Sequence, residues 1–289
     1  MRLPRIVLSL ITHYPDYIGT VDLHKNDTIA ELFSLASPEE IISYVKTVIS
    51  SGRSDKLHNS LWFLRDLRSS PGIRIKDRKK LLDLIEKKGV YIELDKKLYT
   101  GNYQMRKDSI YTLGALYDNK YQKNMIVAFH KYYLKKDPYL TPSLIMEINR
   151  LGREHQYELL SCLVQHNHFA FRWSALSMDN CYNFEDKRVA RLLSVLENDP
   201  VAAIRKDYLA KVKHGTRTTL TDYFSADIFV GNFLSFNRYK AYSLRLIGCL
   251  LNYYISNSKK FLTDVKRARG DSDAIMKVFL SLRNEIEKT

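Results

Sequence analysis

Met105-Arg106-Lys107-Asp108-Ser109-Ile110-Tyr111-Thr112-Leu113-Gly114-Ala115-Leu116 lines up with Tyr239-Lys240-Ala241-Tyr242-Ser243-Leu244-Arg245-Leu246-Ile247-Gly248-Cys249-Leu250 later in the same chain. Two weaker copies lie between them, Phe171-Arg172-Trp173-Ser174-Ala175-Leu176 and Ile204-Arg205-Lys206-Asp207-Tyr208-Leu209. Arg172 follows Arg106 by 66 residues, Arg205 follows Arg172 by 33, and Lys240 follows Arg205 by 35. A recurrence of this length on helical patterning marks an array of stacked helix pairs, each completing its neighbour's core. Arrays of this kind present surface to macromolecules, so recognition is expected ahead of small-molecule chemistry.

The rest of the chain reads as helix. Seven prolines and eleven glycines are few for 289 residues, and both residue types are costly inside a helix. Ser37-Pro38-Glu39-Glu40 has the composition of a helix start: a capping hydroxyl, a proline where no amide is needed, and acids at the positive end. Ile41, Ile42, Val45, Val48 and Ile49 then recur on one face. Leu57, Leu61, Leu64 and Leu67 continue the spacing until Ser69-Ser70-Pro71-Gly72. Asp77–Lys88 follows, with Gly89 as its C-terminal cap. Val90–Leu98 fits either a short strand or a Lys- and Glu-rich helix. From Asn102 onward the pairs become regular. The expected organisation is one helical-repeat domain over 1–289, irregular through 1–100 and regular through 101–289.

Forty-six basic residues against 32 acidic give a formal charge of +14. That excess favours a polyanion as partner, duplex DNA first or else an acidic protein. An AT-rich genome, whose proteins are rich in Lys and Tyr, accounts for the same composition without any partner. Cys162, Cys181 and Cys249 are too scattered for a disulfide framework and point to a reducing compartment. Residues 1–11 look superficially like a leader, but Pro4 and Arg5 precede a short apolar run, and a first helix fits better. No stretch reaches the length of a membrane span, so a cytoplasmic protein without a membrane partner is expected.

Asp199-Pro200-Val201-Ala202-Ala203-Ile204-Arg205-Lys206-Asp207-Tyr208-Leu209 resembles a HEAT-like repeat, in which a helix opens with Asp near Pro and carries Arg six residues on. His166 with Arg172 keeps that spacing with His at the Asp position, Asn102 with Arg106 is a looser variant with Asn four residues before the Arg, and Lys240 replaces Arg in the last copy. The resemblance spans Asn102 onward and implies an all-α, right-handed α-α superhelix of the HEAT/ARM type. It further implies an internal ladder of Asp and Arg linking neighbouring repeats, here Arg106, Arg172, Asp199 and Arg205. In size, charge and helical make-up the chain is similar to the HEAT-like alkylpurine DNA glycosylases, which cradle duplex DNA on a concave face. No single Asp matches their catalytic position.

Several groups of residues are candidates for function. Lys206, Lys211, Lys213 and Arg217, joined by Arg238, Lys240 and Arg245 of the next copy, form a prospective phosphate-contacting band. Lys206, Lys213 and Arg217 are seven and four residues apart, which puts them on one helical strip; phosphate contacts give affinity without sequence choice. Ordinary solvent-facing charge is the plainer reading. Further basic patches are Arg74 to Lys88 and Lys259 to Arg269. Trp62 with Arg65 and Asp66, and Arg172-Trp173 with Asp179, contain the parts for glycosidic cleavage: a ring for the base, a cation for phosphate, a carboxylate for sugar charge. Trp62 also falls among leucines at core spacing. His155, Cys162, His166 and His168 suggest zinc, but they do not converge as four ligands must, so no metal and no cofactor is expected. The leading function is non-catalytic binding of a polyanion; the alternatives are a glycosylase-like enzyme for alkylated bases and a protein-interaction scaffold.

Overall fold

The computed structural model describes residues 3–12, 29, 32–52, 54–69, 73, 75–116, 119–176, 185–213, 263–264, 267 and 272–287. These residues are mostly helical, and no strand occurs among them. The chain divides into two compact units, Met1–Met125 and Ile126–Thr289.

In the first unit, α1 (Arg5–Thr12), α2 (Pro38–Ser51), α3 (Ser54–Ser69), α4 (Ile75–Lys87), α5 (Val90–Tyr99) and α6 (Tyr103–Ala115) follow in order. The start of α2 is the one its sequence foretells. Ser37 Oγ accepts the amide of Glu40 at 3.3 Å, and the Glu40 carboxylate accepts the amide of Ser37 at 3.2 Å. This reciprocal pair satisfies two amides that the helix itself cannot. Ser37→Ala is therefore expected to cost about 1 kcal/mol in a urea titration; no measurable change would mean that solvent serves those amides equally well.

Gly89 joins α4 to α5 at φ 70°, a left-handed conformation that suits glycine. Beyond it, Val90–Tyr99 is helix and not strand. Its buried residues, Val90, Tyr91, Leu94 and Leu98, fall on a single helical stripe, and Glu93 binds Lys96 one turn on at 2.9 Å. Tyr91 stacks on Tyr121, with ring centroids 4.0 Å apart. The α3–α6 and α5–α6 pairs make the most extensive packing of this unit, and Phe63, Leu64, Leu94, Leu98, Ile110 and Leu113 on these helices are buried.

The division between units falls at α7 (Asn119–Ala128), which leads into a π-helical turn at Phe129–Tyr133 and a last helical turn at Leu134–Lys136. The second unit continues with α8 (Thr141–Leu151), α9 (Gln156–Val164), α10 (Phe169–Leu176), α11 (Lys187–Leu193), a 3-10 turn at Ser194–Asn198, α12 (Ala202–Tyr208), a second π turn at Leu209–Lys213, and α13 (Ser272–Glu287). Helix α9 packs against both α10 and α11, and α10 packs against α8 and α12. Leu144, Ile148, Leu159, Leu163, Phe169, Trp173, Leu193 and Ile204 are buried in its core. Asp137-Pro138 and Asp199-Pro200 precede α8 and α12 in the same way: Asp137 Oδ1 accepts the amide of Tyr139 at 3.3 Å, and Asp199 Oδ1 that of Val201 at 2.9 Å. Short Asp side chains turn the chain there, where proline has no amide to offer.

Candidate nucleic-acid interface

The recurrent arginines are internal clamps. Arg106 donates to the carbonyl of Gly101 at 2.8 Å. Arg172 donates to those of His166 and Asn167 at 2.8 and 2.7 Å, and Arg205 to those of Asp199 and Pro200 at 2.5 and 2.9 Å. In each copy the guanidinium reaches back over the start of its own helix and satisfies the carbonyls of the turn before it. Gly101 has φ 97°, and a Cβ there would sit 2.9 Å from Met105 Sδ, so this clamp closes on a turn that accommodates only glycine comfortably.

Two residues beyond each arginine stands a buried polar group: Asp108, Ser174 and Asp207. Each bonds to a segment well upstream. Asp108 Oδ2 lies 2.7 Å from His58 Nδ1, and Ser174 Oγ donates to the carbonyl of Pro138 at 3.0 Å. Asp207 Oδ2 accepts the indole N–H of Trp173 at 2.5 Å. The last two reach back 36 and 34 residues, one period of the sequence recurrence. Arg172 also grips Asp199 with both prongs, at 2.6 and 3.1 Å, so α10 is tied to the turn that opens α12.

The aromatic candidates lie inside this framework. Trp173 is fully buried and its one N–H is used, so no ring face is left for a base. Trp62 is half-buried; its ring meets His58 edge-on and lies under the Arg65 guanidinium, 5.0 Å from the ring centroid. Arg65 in turn binds Asp108 Oδ1 at 3.2 Å, the Asp108 carbonyl at 3.0 Å and Thr112 Oγ1 at 3.2 Å. Its charge is thus spent across the α3–α6 packing and is not aimed at a phosphate. Gln104 also donates to Asp108, at 3.1 Å. Asp66, half-buried, is not one of the groups gathered on Asp108, and Asp179 lies outside the described residues. The arrangement suits a brace between helices better than a glycosidic active site.

Of the prospective phosphate band, Lys206 is exposed, whereas Lys211 is buried. The seven-residue spacing assumed an unbroken α-helix, and the π turn at Leu209–Lys213 widens the winding at that point. Lys213 belongs to this turn; Arg217, Arg238, Lys240 and Arg245 lie outside the described residues, as does the last sequence copy. In the Arg74 to Lys88 patch, Lys79, Lys80 and Lys87 are exposed, while Arg78 donates to the carbonyl of Ile73 at 3.1 Å. In the third patch, Arg267 lies 3.8 Å from Asp264.

The zinc candidates remain ordinary side chains. His166 Nδ1 accepts the amide of His168, and His168 Nδ1 that of Ala170. Burial lowers the pKa of His166 and raises that of the Cys162 thiol. His155 contacts Glu158 at 3.3 Å. No group of three or more His, Cys, Asp or Glu able to hold a metal ion occurs among the described residues, and no described helix is long and apolar enough to cross a membrane.

One cationic face escaped the sequence reading. Helix α11 buries Val189 and Leu193, and exposes Lys187, Arg188 and Arg191. The signal was present in Lys-Arg-x-x-Arg laid over an apolar repeat, which places all three cations opposite the buried stripe. No protein-family model matches this chain, and neither a curated protein nor a solved structure matches it.

Proposed function

We propose that this chain is a non-catalytic helical-repeat module that binds a polyanion, duplex DNA first, through exposed cations. The repeats would stack as a right-handed HEAT-like superhelix; the recurring carbonyl clamps and the Arg172–Asp199 tie support that reading. One observation carries the functional part. Among the described residues, burial takes Asp108, Asp137, Glu147, Asp199 and Asp207 out of solvent, against Lys211 and the largely buried Arg65 and Arg172. Burial there withdraws more carboxylates than cations, so it does not consume the net charge of +14. A surface with that excess attracts phosphates and releases their counterions.

The test is a titration of the full chain with a short duplex of random sequence at rising salt. Binding that weakens linearly on a log–log plot, with several counterions released, is the expected result. Binding that ignores salt, or none at low salt, would remove the reading. The occupied states of Trp173 and Arg65 weigh against the glycosylase alternative, and alkylated duplex is accordingly expected to accumulate no abasic sites.

A further inference from the structure

We propose that the exposed face of α11, formed by Lys187, Arg188 and Arg191, is where the second unit grips the phosphate backbone of duplex DNA; this rests on the binding function inferred above. The three cations share one short helix whose other face is fixed in the core by Val189 and Leu193. Lys187 and Arg191 are one helical turn apart, about 6 Å of rise. A DNA strand presents a phosphate about every 3.4 Å along its axis, so this face spans roughly two phosphate steps.

The middle cation is held ready. The Arg188 guanidinium lies over the ring of Tyr157, 5.3 Å from its centroid. The hydroxyl of Tyr157 donates to Asp186 Oδ2 at 2.8 Å, and Asp186 Oδ1 accepts the Arg188 amide at 2.7 Å. These bonds keep the Asp186 carboxyl below its ordinary pKa, with the Arg188 amide the largest cause. Asp186 is therefore engaged as the N-cap of this helix, and Glu185, exposed just before it, is the other carboxylate there. A guanidinium resting on a ring loses less freedom on meeting phosphate than one waving in solvent. Sequence choice is not expected from such contacts, which read the backbone alone.

The experiment compares three full-length proteins on one random-sequence DNA duplex across a salt series: the parent, Lys187→Ala/Arg188→Ala/Arg191→Ala, and Lys131→Ala/Lys135→Ala/Lys136→Ala. The last removes equal charge from exposed positions outside every basic patch named above, and circular dichroism checks that both variants fold. The α11 variant is expected to bind at least about ten-fold more weakly at low salt and to lose about three from the salt slope. The control variant should stay within about three-fold of the parent. Equal losses in both variants would mean that only net charge matters and would overturn the proposal, as would an α11 variant that binds like the parent. Preference for an RNA duplex of the same length would also overturn it. If the parent binds no duplex at all, the binding function itself fails; if the parent binds and α11 is indifferent, only this placement fails.

Discussion

Asp108→Ala is expected to destabilise Met1–Met125 by about 3–5 kcal/mol, among the largest effects available to a single substitution in this chain. The carboxylate is 3% exposed and receives His58, Gln104 and Arg65 from two directions. Its removal takes a counter-charge from the Arg65 guanidinium, itself largely buried and set against the Trp62 and Tyr111 rings. The double variant Arg65→Met/Asp108→Leu is expected to regain most of the loss, because an apolar pair of similar volume avoids the desolvation of both ions. Urea titrations followed by circular dichroism measure both. A loss below about 1 kcal/mol for the single variant would show that water reaches Arg65 and that the brace counts for little.

The second large effect is expected at Trp173. Trp173→Ala should cost about 3–5 kcal/mol by emptying a fully buried site, and it also strips Asp207 of its indole donor. Trp173→Phe separates the two contributions: most of the ring volume stays, the N–H goes, and the loss should fall to about 1–3 kcal/mol. Asp207→Asn retains an acceptor for the indole and should be the mildest of the three. If Trp173→Phe is as damaging as Trp173→Ala, the hydrogen bond matters more than the volume and the core argument fails.

Local signals made much of the fold legible. The cap at Ser37 rests on residues within three positions of each other; the cap at Asn102, whose Oδ1 accepts the Met105 amide at 2.9 Å, is equally local but was not read from the sequence. The apolar stripe of α2 needed only helical periodicity. Val90–Leu98 stayed ambiguous because alternation and a helical stripe overlap in so short a run; the buried set of Val90, Tyr91, Leu94 and Leu98 decides it in three dimensions. The recurrence drew attention to its arginines, yet their partners are mostly main-chain carbonyls, which no side-chain pattern can display.

Asp108 and Asp207 stood in plain view within the quoted copies, two residues past Arg106 and Arg205. Their burial was hidden because it depends on His58, Arg65 and Trp173, which lie 50, 43 and 34 residues upstream. The place two residues past the recurrent Arg, held by Asp108, Ser174 and Asp207, is the sequence position that marks them as internal. In the basic band Lys211 is buried with Asp207, one turn before it, an inward face that a count of basic residues does not display. At α11 the pattern is short, three cations in five residues, and longer basic runs elsewhere in the chain overshadow it.

The chain has two tryptophans, and the fold puts one in each compact unit: Trp62 in Met1–Met125 and Trp173 in Ile126–Thr289. Their surroundings differ, an indole beneath a guanidinium and beside an imidazole against one sealed in the core. Intrinsic fluorescence thus carries a separate colour and quenching signature for each half of the molecule. Without any added dye, it can reveal whether the two halves melt together or in turn.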